Sequence, residues 1–188
     1  MTRIVDRGAV TAAYVGIGMA VVIAISFLLV IPIEPVVWYL ALPAGLLIGY
    51  YANQRSDRRR GPWARIVTNG VFAGLVTGLT LAALLLATKA LFFAADNGYR
   101  DTSAGGPITC QSGGDCVFQR YLADGRAAEL AAQGVTDAGS FSQFYWSQQF
   151  ATAGLLVGLT TAGGLGGAAL YGVFRPRPRA GEPVPTTG

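Results

Sequence analysis

Histidine is absent from this chain of 188 residues. That excludes a Ser–His–Asp triad, an imidazole-ligated haem and any His-based zinc or iron centre. A catalytic base would have to be a carboxylate, a lysine or a tyrosine. Charge is also scarce: 13% of residues are Asp, Glu, Lys or Arg, against about 25% in ordinary soluble domains. Cysteine is limited to Cys110 and Cys116. They lie in one short stretch, and their meaning depends on the compartment they face.

What fills the chain instead is apolar residues, 52% of the total, and 26 glycines. A soluble fold of this length cannot hide so much apolar surface, whereas lipid can. The expected class is an all-α membrane protein: a four-transmembrane-helix bundle with a small disulfide-containing extracytoplasmic loop between helices 3 and 4. The first apolar run, 8–33, crosses a hydrocarbon core of about 30 Å with residues to spare. It is far longer than a signal-peptide core, and no convincing small-residue cleavage site follows it. Pro32 and Pro35 break the chain into a turn, and a second span covers 35–52, with Pro43 expected to kink it. A basic connector, 53–65, leads to a third span, 66–94. The stretch 95–143 is polar, the fourth span is 144–174, and the proline-rich tail 175–188 reads as disordered.

Charge sets the orientation. The N-terminal segment, connector and tail carry Arg3, Arg7, Arg55, Arg58, Arg59, Arg60, Arg65, Arg175, Arg177 and Arg179. The rest of the chain carries Lys89, Arg100, Arg120 and Arg126. Ten against four, out of 14 in all, places both termini in the cytoplasm by the positive-inside rule. The net charge of +4 is therefore a topology signal, and no nucleic-acid partner is expected. Arg58, Arg59 and Arg60, with Trp63 beside them, fit anchoring at the anionic inner leaflet. Arginine in place of lysine and abundant Gly and Ala suit a bacterium of high genomic GC, hence a bacterial inner membrane.

This orientation puts Cys110 and Cys116 where disulfides persist. Gly113 and Gly114 between them let the backbone bring the Cα atoms within the roughly 4.4–6.8 Å that a disulfide requires. A structural staple is expected. The competing reading is a redox pair, but quinone-coupled disulfide-forming membrane enzymes use two cysteine pairs and this chain has one. Val117, Phe118, Tyr121 and Leu122 have helical spacing. A second short helix is expected over 126–133, stopped by Gly134 in a left-handed cap.

Within the spans the informative pattern is glycine spacing. Gly45 and Gly49 lie on the second span, and Gly70, Gly74 and Gly78 on the third. The fourth carries Gly154, Gly158 and Gly166 on one stripe with Ala162, and Gly163 and Gly167 on the next. Residues four apart share a face, and glycine lets backbones approach closely. These are the candidate helix-packing residues. Small residues on two adjacent stripes exceed what one neighbouring helix uses, which favours a further partner. The phrase Ala-Gly-Leu-Leu/Val-x-Gly recurs at 44–49, 73–78 and 153–158 and raises a duplication, although such membrane vocabulary also recurs by chance.

Chemistry is hard to find. Lys89 is the sole charged residue inside a span, and its place near the external end suits snorkelling. Thr77, Thr80, Thr160 and Thr161 are expected to bond their own helix carbonyls. No catalytic residue, cofactor or metal site is expected. The reading is a non-enzymatic structural or accessory subunit in the lipid bilayer, as a homo-oligomer or within a larger membrane complex. The alternatives are a small transporter or channel component, and a membrane thiol–disulfide oxidoreductase.

Overall fold

The computed structural model describes residues 5–30, 34–56, 62–95 and 112–174, with the side chains of 26–30 and 34–38 outside that description. Among these residues the regular structure is α-helical throughout: α1 (Arg7–Val30), α2 (Glu34–Gln54), α3 (Trp63–Ala95), α4 (Gly114–Ala123), α5 (Ala127–Ala132) and α6 (Ala138–Val173). Three helices are long and apolar enough to cross a membrane: α1, through Arg7–Ile25, α3 and α6. α2 has 21 residues and runs unbroken through Pro43.

Local chemistry explains where the helices begin. The carbonyl of Asp6 accepts from the amides of Ala9 and Val10, starting α1. Pro62 precedes α3 and takes the amide of Arg65 at 3.0 Å, a place where its missing N–H costs nothing. α6 begins six residues before the expected 144, because Asp137 and Ser140 form a reciprocal capping box. The Ser140 amide donates to Asp137 Oδ1 at 2.8 Å, and the Asp137 amide donates to Ser140 Oγ at 3.1 Å. Two otherwise orphaned amides are thereby satisfied. With 36 residues, α6 is about 54 Å long and outreaches a hydrocarbon core of about 30 Å.

The long helices alternate in direction. Gly45 and Gly49 of α2 meet Thr160 and Gly164 of α6 in parallel order, whereas Gly70 and Gly74 of α3 meet Gly164 and Thr160 in reverse. α1 is antiparallel to α2, with Gly8 against Ala52 and Arg55, and parallel to α3, with Gly16 against Thr77. α6 lies in the groove between α2 and α3, and its contacts with those two are the most extensive in the molecule. α1 packs into the opposite groove of the same pair. The apolar core runs down this arrangement, from Ala20, Ala41, Leu81, Leu85 and Leu156 to Ala9, Ala12, Ile48, Ala52 and Ala73. Beyond one end of α3 and α6, α4 and α5 form a cap with its own aromatic core.

Candidate functional site

The glycine stripes divide in the structure. α2, α3 and α6 come together backbone to backbone at two levels. At the first, the Thr160 carbonyl lies between Gly45 and Gly74; a Cβ on Gly45 would overlap that oxygen, and one on Gly74 would stand 2.5 Å from it. At the second, one turn further along, the Gly164 carbonyl lies between Gly49 and Gly70. The approach is reciprocal, since Cβ atoms on Gly163 and Gly167 would stand 2.8 Å from the Leu46 amide nitrogen and 2.6 Å from that of Tyr50. Gly78 faces Thr160 and the Cα of Val157. Gly154, Gly158 and Gly166 have nothing within 4 Å of a built Cβ and lie on the outward face of α6 with exposed Ala162. The glycines of the phrase at 44–49 and 73–78 thus turn toward α6, while those of the same phrase at 153–158 turn away from the bundle.

Polar groups inside the bundle are satisfied mostly along their own helices. Thr77, Thr80 and Thr160 donate to Ala73, Val76 and Leu156 carbonyls at 2.9, 2.8 and 2.9 Å, as Ser/Thr back-bonding predicts. Thr161 departs from that expectation: its Oγ1 is buried without a hydrogen-bond partner. Thr160 also fills the notch at Gly78, so one hydroxyl serves both its helix and the seam. Lys89 is half-buried near the cap end of α3.

A polar knot ties three helices at the opposite, basic end. Asn53, buried at the end of α2, donates through Nδ2 to the Gly49 carbonyl at 3.1 Å and across to the Ile66 carbonyl at 3.0 Å. The Asp6 amide donates to Asn69 Oδ1 at 3.3 Å, and the Ser56 hydroxyl donates to the Asp6 carboxylate. Nothing in the sequence flagged Asn53 or Asn69; Asn53 lies at a helix end and Asn69 within an apolar run, where either reads as incidental. Arg7 and Arg55 are exposed beside this knot, and Trp63 lays its ring over Gly172. Arg58, Arg59 and Arg60 lie outside the described residues, as does the tail 175–188.

The cap is built from α4, α5 and the first turns of α6. Leu130, Val135, Phe141 and Tyr145 are buried there among Phe93, Phe118, Tyr121 and Trp146. Phe93 stacks on Tyr145 with centroids 4.9 Å apart, and Tyr121 meets Phe141 edge-on at 5.0 Å. Tyr145, at the point where hydropathy rises along α6, turns into the cap, because α6 begins further out and the short helices close over it. Gly125 and Gly134 hold positive φ of 77° and 74°, just after α4 and α5; the left-handed cap at Gly134 is the one the sequence predicts. Cys116 is fully buried and is not a free thiol, while Cys110 lies outside the described residues.

Electrostatics in the cap are local. Arg126 grips Glu129 with two hydrogen bonds of 2.9 Å and lies over the Tyr121 ring at 4.3 Å. Those bonds raise the arginine's pKa and lower the Glu129 carboxyl's. The Ser140 amide and hydroxyl likewise hold the Asp137 carboxyl below its ordinary value. Among the described residues no group of three His, Cys, Asp or Glu is placed to hold a metal ion. The sequence matches no protein-family profile, no curated protein and no solved structure.

Proposed function

We propose that this chain is a four-span integral membrane protein acting as a structural or accessory subunit without catalytic activity of its own. α2 would be the fourth span, packed between α1 and α6 and antiparallel to α1 and α3. The basic end, with the N-terminal segment, connector and tail, would face the cytoplasm of a bacterial cell, leaving the cap outside. Cys110 and Cys116 would form its structural disulfide, consistent with a buried Cys116 that is not a free thiol.

The observation that carries the reading is the double use of α6. One stripe closes the centre of the bundle against α2 and α3 at van der Waals limits, and a transport path needs polar, solvated space there. The other stripe, Gly154, Gly158, Ala162 and Gly166, turns outward, where small residues favour helix association in lipid. The partner would be a second copy or another subunit.

A photo-crosslinker at Ala162, compared with one at exposed Tyr14 on α1, tests this in native membranes. Adducts specific to position 162 support a partner on that face; a strictly monomeric protein without adducts overturns it. Labelling of Gln54→Cys and Ala128→Cys variants, both at exposed positions, with an impermeant maleimide tests the topology. Reaction of both from the same side overturns the four-span arrangement.

A further inference from the structure

At the basic end, α1 and α2 meet through Gly8. A Cβ there would stand 2.5 Å from both the Arg55 carbonyl carbon and the Ser56 nitrogen. This approach puts the backbone of Arg55 beside that of Arg7, the next residue along from Gly8. Both side chains are exposed, and neither makes an ion pair with any described residue. The acidic residue within the knot, Asp6, takes a hydrogen bond from Ser56.

Arg55 is not a loose surface cation. Its Nε donates to the Tyr51 hydroxyl at 3.1 Å, and its guanidinium carbon lies 5.4 Å from the centre of the Tyr51 ring. Tyr51 is in turn half-buried, packed against the cluster of Ala9, Ala12, Ile48, Ala52 and Ala73. A planar guanidinium held by Nε and by the face of a ring keeps its two terminal nitrogens as a fork, the geometry that takes two oxygens of one phosphate. The N-terminus of α1 ends at the same place, adding the positive end of its dipole. Its level suits a lipid: Trp63, half exposed and lying over Gly172 at this end, has the position of an interfacial aromatic.

We propose that the α1–α2 seam binds the phosphodiester of an anionic glycerophospholipid, gripped by the Arg55 fork that Tyr51 orients, with Arg7 supplying further positive charge. The site rests on the bundle spanning a bilayer, as proposed above, but not on which leaflet the basic end faces. It differs from general attraction of basic residues to a charged surface, because orientation by Tyr51, and not charge alone, sets the affinity.

Native mass spectrometry of the full-length protein, released from mild detergent with equal phosphatidylglycerol and phosphatidylcholine of matched chains, tests this. The wild-type protein retains phosphatidylglycerol about fivefold or more over phosphatidylcholine, the scale of one well-placed arginine. Arg55→Gln removes most of that preference. Tyr51→Phe, which keeps every charge, lowers the amount of phosphatidylglycerol retained, and Arg55→Lys does not recover the wild-type amount. Arg65→Gln, an equal charge loss on α3, leaves it intact. Size-exclusion profiles matching wild type establish that the variants are folded. Equal losses in Arg55→Gln and Arg65→Gln, or a Tyr51→Phe protein indistinguishable from wild type, would overturn the site and leave the four-span reading standing. Abolition of the preference by inorganic phosphate at matched ionic strength would also overturn it, in favour of a free-anion site.

Discussion

The Gly164 carbonyl occupies the notch left by Gly70, so that a Cβ on Gly70 would stand 2.5 Å from the oxygen. No rotamer relieves such an overlap, because both partners are backbone, and the helices must separate. Separation would spread along the seam, since Gly74 and Thr160 meet one turn away. Gly70→Ala and Gly49→Ala are each expected to destabilise the bundle by about 1–3 kcal/mol, the range of core overpacking. Gly154→Ala and Gly158→Ala meet nothing within 4 Å and should leave the isolated protein at least as stable as wild type, since alanine is the better helix former. Unfolding in mixed micelles with increasing SDS measures all four. A neutral Gly70→Ala would show that the seam is looser than described.

Which glycine stripe faces inward was the part that spacing alone left open. A period of four marks a face, but not what covers it. Gly154, Gly158, Ala162 and Gly166 keep the same four-residue period as Gly70, Gly74 and Gly78, yet the two sets have opposite surroundings. Gly164 sits at the centre of the contact yet belongs to neither stripe, because it shares a face with Leu156, Thr160 and Ala168, where it is the lone glycine. Conversely, the long apolar helices and the left-handed cap at Gly134 were legible, since length, hydropathy and a helix-ending glycine are local properties. The start of α6 was misplaced because hydropathy rises only at the aromatic residues, whereas the capping box at Asp137 and Ser140 sets the real boundary.

Asn53 joins the end of α2 to the start of α3 through a buried amide with two acceptors. Asn53→Ala removes both bonds. It is expected to cost about 1–3 kcal/mol, the range for losing a buried hydrogen bond and leaving its partner unsatisfied. The loss should appear as faster hydrogen exchange at 53–56 and in the first turn of α3, with the cap unaffected. Equal changes at both ends of the bundle would contradict a local role.

The cap should loosen in acid. The Asp137 carboxyl is held below its ordinary value by the Ser140 amide and hydroxyl, so the charged form is the one that favours the folded cap. Its contribution is complete above the ordinary carboxylate value of about 3.9 and is lost as pH falls through the lowered folded value. Asp137→Asn keeps an N-cap acceptor but cannot titrate. Trp146 fluorescence, followed from pH 7 downward, should show an acid transition in wild type that is shallower in Asp137→Asn. Part of the transition will persist in the variant, because the exposed Glu129 carboxyl is also lowered by its Arg126 bonds. Identical profiles would remove Asp137 from the account.

The proposed Cys110–Cys116 bond closes a loop of seven residues, for which the chain-entropy model gives roughly 2–3 kcal/mol of stabilisation. Cys116 lies at the first turn of α4, and the α4 side of the cap meets the long helices where Gly114 packs on Phe93 and Ser142. Loss of the bond should therefore act on the cap and not on the glycine seams, which lie elsewhere along α3 and α6. Replacing both cysteines by serine is expected to lower the temperature at which near-ultraviolet circular dichroism of the aromatic cluster is lost, while membrane insertion and the helical far-ultraviolet signal persist. The wild-type peptide spanning both cysteines should be lighter by two hydrogens than its reduced form. A staple and a redox pair part company under reductant: a staple needs no exchange to do its work, so a protein reduced and reoxidised in the membrane should regain the same spectrum and transfer no disulfide to an added dithiol substrate. Turnover of such a substrate would reverse the assignment.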